Sequence, residues 1–144
     1  MNVPSSVPEP NGVLHEDRLT YTPLPRSVRL ARVRTARLVG EEWGLPEVAG
    51  DAALIVSELA GNAIFHGRVS GRMFRVHLLR SDETLRIEVT DPRTERLPEQ
   101  RQPADDQEYG RGLLLVGGLC SRWGTEPLVV GKTVWAEIDL KQRQ

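Results

Sequence analysis

The sequence predicts an α+β domain, a two-layer α/β sandwich with helices on one face of a mostly antiparallel mixed sheet. Three observations lead there. Two amphipathic helical patterns come early in the chain, two alternating runs joined by a short turn follow, and a second alternating pair closes it. With 144 residues against roughly 100–200 per domain, one core fits and two do not.

Residues 1–17 carry Pro4, Pro8, Pro10 and the pair Asn11-Gly12 and little that can bury, so they read as a tail ahead of a single domain over 18–144. A short strand is expected over 18–22, closed by Pro23 and Pro25. From 26 to 43 only Gly40 interrupts a helical pattern, in which Val28, Ala31, Leu38 and Val39 recur with arginines between them. Gly44 stands just past its end. Pro46 can open a second helix, where Ala52, Ile55, Val56, Leu59 and Ala63 share one face at about 100° per residue. Glu58, Asn62 and His66 stack along the border of that stripe at i, i+4 and i+8, and Gly67 is expected to end the helix.

In the middle of the chain Phe74, Val76 and Leu78, then Leu85, Ile87 and Val89, point to one face, with Arg75, His77, Arg86 and Glu88 on the other. Ser81-Asp82-Glu83 makes the turn. Residues 92–109 hold Pro92, Pro98 and Pro103 and almost nothing apolar, and a structureless loop of that length inside a domain reads as a functional lid. Gly110-Arg111-Gly112 then opens an apolar helix, Leu113-Leu114-Leu115-Val116. Trp123 lies in or near the next strand, Gly131-Lys132 turns the chain, and Val134, Ala136, Ile138 and Leu140 alternate along the last.

Composition narrows the function classes. Lys+Arg 19 against Asp+Glu 20 leaves a net charge of -1, which excludes a strong general attraction to nucleic acid. The single cysteine, Cys120, cannot form an internal disulfide. No apolar run approaching the roughly 20 residues of a membrane span is expected, and MNVPSSVPEP lacks the apolar core of a secretory signal, so a cytoplasmic protein is the expectation. Of the 19 basic residues only Lys132 and Lys141 are lysine, an arginine bias that fits a GC-rich bacterial source.

Familiar motifs fail on counting. Gly131-Lys132-Thr133 would need glycine at 126 to end a P-loop, and Glu126 is there. Gly110-x-Gly112 has Leu115 where a dinucleotide fingerprint has its third glycine, and a polar loop precedes it instead of a strand. Ser70 is one place off a nucleophile elbow. His15, His66 and His77 are dispersed without cysteine partners, so no zinc site is legible.

Three elements in fixed order remain: Glu58-Leu59-Ala60-Gly61-Asn62-Ala63-Ile64-Phe65-His66 on a helix, Asp91 at a strand end, and Gly110-Arg111-Gly112-Leu113-Leu114-Leu115-Val116 after the lid. Together they resemble the N, G1 and G2 boxes of the GHKL ATPase superfamily, and more closely the anti-sigma-factor serine/threonine kinases within it. The resemblance runs from Arg18 to Leu140 and includes Gly131-Lys132-Thr133-Val134-Trp135. It implies the Bergerat-type ATP-binding fold, ATP and Mg2+ as cofactors, and a sigma factor and an anti-sigma-factor antagonist as partners. A homodimer is also implied, with no direct contact to nucleic acid or membrane.

Chemistry gives reasons for these residue types. An amide such as Asn62 can complete the coordination of Mg2+ without repelling the phosphates. Glu58, one turn earlier and about 6 Å along the axis, can orient or deprotonate an attacking hydroxyl. On spacing alone Glu58, Asn62 and His66 read equally as a solvated helix border, and His66 as a helix C-terminal cation. The resemblance implies that Asp91 accepts from the adenine amino group, whereas Asp91-Pro92 by itself can simply start a turn. The two glycines that normally follow in this box are replaced by Arg93 and Glu95.

Gly110 and Gly112 let backbone approach phosphate oxygens at the start of a helix. Arg111 reads either as a donor to the polyphosphate or as a surface arginine. Leu113 falls in the same box but reads more readily as packing, and Thr133 as either a nucleotide-side hydroxyl or an ordinary strand threonine. The leading expectation is an ATP-dependent anti-sigma-factor serine/threonine kinase. The alternative is an ATP-binding switch that only sequesters a partner. A histidine-kinase catalytic domain is disfavoured, since 144 residues leave no dimerisation helix with a phosphoacceptor histidine.

Overall fold

The computed structural model describes residues 12–70, 72–91, 112–128 and 131–140, apart from the side chains of 66–70. Strand β1 is His15–Tyr21. It begins three residues earlier than the pattern predicted, inside the segment read as tail, because side chains from elsewhere hold it. Arg34 grips Asp17 through two hydrogen bonds of 2.9 and 2.6 Å, His77 Nε2 lies 2.6 Å from Glu16, and the His15 ring stacks on Trp43. Local propensity carries no trace of these partners.

Helix α1, Pro25–Arg37, starts with proline in its first turn after an extended Leu24. Its buried positions are small: Ser27, Ala31 and Thr35. They fall one helical turn apart and let α1 lie close to the next helix. The chain then widens into a π-helical turn, Leu38–Glu42, which ends when Trp43 N–H bonds to Leu38 O at 2.7 Å. A Cβ at Gly40 would stand 3.1 Å from the Ala49 side chain, and Gly44 leaves the turn at φ +70°.

Helix α2, Pro46–Ser70, is the central helix. Ala52, Ile55, Val56, Leu59, Ala60 and Ala63 are buried along it, the face that periodicity predicted. It continues past Gly67, the expected terminator: glycine weakens a helix by about 1 kcal/mol but does not by itself stop it. By length and composition the stretch Pro46–Phe65 is also apolar enough to cross a bilayer, contrary to the expectation that no run approaches this. Its apolar face is the one packed into the core.

Strands β2, Phe74–Arg80, and β3, Thr84–Asp91, form a hairpin closed by the Ser81 hydroxyl, which accepts from Thr84 N–H at 3.1 Å. Helix α3 spans 112–119, and β4, Arg122–Pro127, and β5, Lys132–Asp139, complete the sheet. The order is β1-β2-β3-β5-β4. Every pairing among the described strands is antiparallel, in keeping with the expected α+β sandwich and its mostly antiparallel sheet. The predicted lid, 92–109, and tail residues 1–11 lie outside the described residues.

One face of the sheet packs against α2 through Phe74, Val76, Leu78, Leu85, Ile87, Val89, Val134, Ala136 and Ile138. The opposite face carries a ladder of ion pairs running from Arg18 and Glu16 on β1 through His77, Glu88, Arg86 and Glu137 to Arg122 and Asp139. Arg86 is fully buried there, its guanidinium 4.5 Å from the centre of the Trp135 ring. Trp135 in turn covers Gly124, where an added Cβ would meet its ring at 2.9 Å.

Candidate nucleotide site

At one end of the packed face, beside α2 and the ends of β3 and β5, Leu59, Asn62, Ala63, Val89, Asp91, Lys132 and Val134 line a small cavity partly open to solvent.

Two chain segments bring polar groups to its rim. On α2 the stripe of Ala52, Val56, Leu59 and Ala63 is buried, which turns Glu58 and Asn62 to the stripe's border. The first residue of α3, Gly112, is buried against them. A Cβ there would lie 3.2 Å from Glu58 Oε1 and 3.5 and 3.7 Å from the Asn62 amide nitrogen and oxygen. A side chain at 112 would occupy the space between those groups. Val116, one turn on, is fully buried and fixes α3 against the core. Leu113 packs on the core as well, in keeping with its packing role.

Asp91 ends β3 on the packed face and is only 5% exposed. Its ladder partner across β5 is Lys132, a residue the sequence analysis did not single out. A signal for it was present: Val134, Ala136 and Ile138 point inward, so position 132 belongs to the same face. Thr133 therefore points the other way. It lies on the opposite face of the sheet from Asp91, with its hydroxyl 2.8 Å from that of Thr90. The backbone of His66 belongs to α2 while its side chain, Gly110 and Arg111 lie outside the described residues.

The Asn62 amide nitrogen is buried and makes no hydrogen bond among the described residues. A buried amide without a partner is costly, which marks this end of α2 as a place for a polar ligand. Carbonyl oxygen and nitrogen of an amide exchange places by a flip, so Asn62 can present an oxygen to a hard cation or a donor to a phosphate. With Gly112 backbone close by, these residues fit a Mg2+–triphosphate group. Asp91, at the cavity's other side, fits a hydrogen-bond donor on a planar base.

Residues 21–137 match the family model described as histidine kinase-like ATPase domain. A chain in the crystal structure of the SiaB-SiaC complex from Pseudomonas aeruginosa superposes with a TM-score of 0.60 at 12% identity, covering 88% of this chain and 89% of that one. At that identity the likeness speaks for the fold. No curated protein sequence matches the chain. With its glycine-led α3 seated on the Glu58–Asn62 edge of α2, and most of its length matched by the model, the chain belongs to the histidine kinase-like ATPase domain family.

Proposed function

We propose that the protein binds ATP with Mg2+ between α2 and the sheet and transfers the γ-phosphate to a serine or threonine of a protein antagonist, as an anti-sigma-factor kinase does. The observation that carries this reading is the approach of Gly112 to within side-chain distance of both Glu58 and Asn62. It joins a carboxylate, a metal-ligand amide and a glycine backbone at one point. Asn62 would hold Mg2+, which when bound neutralises charge on the phosphates. Glu58 orients the acceptor hydroxyl and takes up its proton, and Gly112 admits the phosphates against backbone N–H groups. His66, Gly110 and Arg111 belong to the same proposed site by their place in the motifs. Thr133, facing away, has a structural role in this reading.

The family supports ATP as the ligand, and the fold neighbour comes from a two-protein complex, which is in keeping with a protein partner. A sigma factor as partner, a homodimer and a cytoplasmic location are part of the proposal and rest on the resemblance. One observation favours a second reading, a switch that binds ATP and sequesters its partner without transfer: Pro92-Arg93-Thr94-Glu95 after Asp91 lacks glycine. Glu58→Ala tests between them. Under the kinase reading it keeps Mg-ATP binding and loses phosphate transfer from labelled ATP to candidate antagonists. A parent protein that binds both ATP and its partner yet labels no serine or threonine leaves the switch reading.

A further inference from the structure

The cavity pairs Asp91 with Lys132 on adjacent strands. The two are directly opposite in the β3–β5 ladder, where facing Cβ atoms stand about 4.5–5.5 Å apart. Both line the cavity, Asp91 buried and Lys132 half-buried. Neither is without other interactions, so each is held in place by its surroundings. An ionised carboxylate only accepts hydrogen bonds and an ammonium only donates them. The pair thus offers one acceptor and one donor, side by side, to whatever planar group enters.

Resting on the ATP-binding reading above, we propose that Lys132 is a second base-reading residue, donating to adenine N1 while Asp91 accepts from the 6-amino group. Adenine presents a donor at position 6 and an acceptor at N1, next to each other on one edge. Guanine and hypoxanthine present the reverse, a carbonyl oxygen at position 6 and N1–H. Asp91 alone separates the bases at one atom. With Lys132 both atoms are read, and a 6-oxopurine in the same pose sets acceptor against acceptor and donor against donor. A site whose polar groups are left unpaired by the wrong ligand discriminates far more strongly than one that loses only contact area.

Calorimetry on the full-length protein separates the roles, using Mg-ATP and Mg-1-deaza-ATP, which has CH in place of N1. The parent is expected to bind 1-deaza-ATP about 10- to 100-fold more weakly, the loss of one hydrogen bond to a charged group. Lys132→Met is expected to bind ATP as weakly as the parent binds 1-deaza-ATP, with no further loss on the analogue, and Lys132→Arg to keep part of the preference. If Lys132→Met retains the full penalty on 1-deaza-ATP, or loses ATP and the analogue alike, the ammonium acts elsewhere and the inference is overturned. A parent that binds both nucleotides equally overturns it while leaving ATP binding intact. A parent that binds no ATP overturns the underlying reading as well.

Discussion

Replacing Gly112 with alanine should leave stability nearly unchanged while weakening nucleotide binding. The new methyl would sit 3.2 Å from Glu58 Oε1 and 3.5 Å from the Asn62 amide nitrogen, closer than ordinary van der Waals contact for the carboxylate. Glu58 is a long side chain on the border of α2 and can yield by a few tenths of an ångström, so the fold has little to lose. Helix propensity adds little, because the advantage of alanine over glycine of about 1 kcal/mol belongs to helix interiors and Gly112 is the first residue of α3. Function has no such slack: a misplacement of about 1 Å at a reacting centre can cost on the order of 100-fold in rate, and the methyl also occupies the approach to the phosphates. The expected outcome is a nearly unchanged Tm in a calorimetric melt, with Mg-ATP affinity lowered about tenfold or more. Unchanged Mg-ATP affinity in a folded Gly112→Ala protein would refute the placement of the phosphates at this junction.

Asn62→Ala should leave the melt nearly unchanged, because the buried amide nitrogen makes no hydrogen bond among the described residues, and should reduce Mg-ATP affinity far more than affinity for ATP in EDTA. Asp91→Ala should blunt the preference for ATP over GTP in competition binding, and equal affinities in the parent would remove the reason for that expectation. His77 gives a pH dependence. Its pKa is raised, first by the bond to Glu88 and then by Glu16, against the opposing effect of burial and of Arg18. The stability it contributes is therefore complete below its ordinary value of 6.5 and falls as pH rises through the raised one. Denaturant titrations of the parent and of His77→Gln should show a stability difference that shrinks above that pH, and a constant difference would contradict the ladder.

Much of this architecture was legible in period alone. Alternation located β2, β3 and β5, and the 3.6-residue stripe of α2 put Glu58 and Asn62 on its border. What escaped were features set by partners distant in sequence. The first residues of β1 depend on Arg34 and His77, and the π-helical turn at Leu38–Glu42 has no composition signature. The inward face of β5 is different, since its alternation already contained it: Lys132 shares a face with Val134, Ala136 and Ile138, and Thr133 lies on the other. The strand order, with β5 between β3 and β4, follows from pairing that no local pattern encodes.

With His77 protonated, charge signs alternate without a break along the outer ladder, from Arg18 through Glu16, His77, Glu88, Arg86, Glu137 and Arg122 to Asp139. Such an arrangement acts as a check on strand registration during assembly. Sliding β5 by one residue against β3 would turn Glu137 into the apolar layer and leave the fully buried Arg86 without that acceptor, an error that a purely hydrophobic strand pair would tolerate more easily. The registration enforced on this face is transmitted through the backbone to the other. Charges on the face away from the cavity thereby determine which residue of β5 stands opposite Asp91, and hold Lys132 at the cavity with Thr133 behind it.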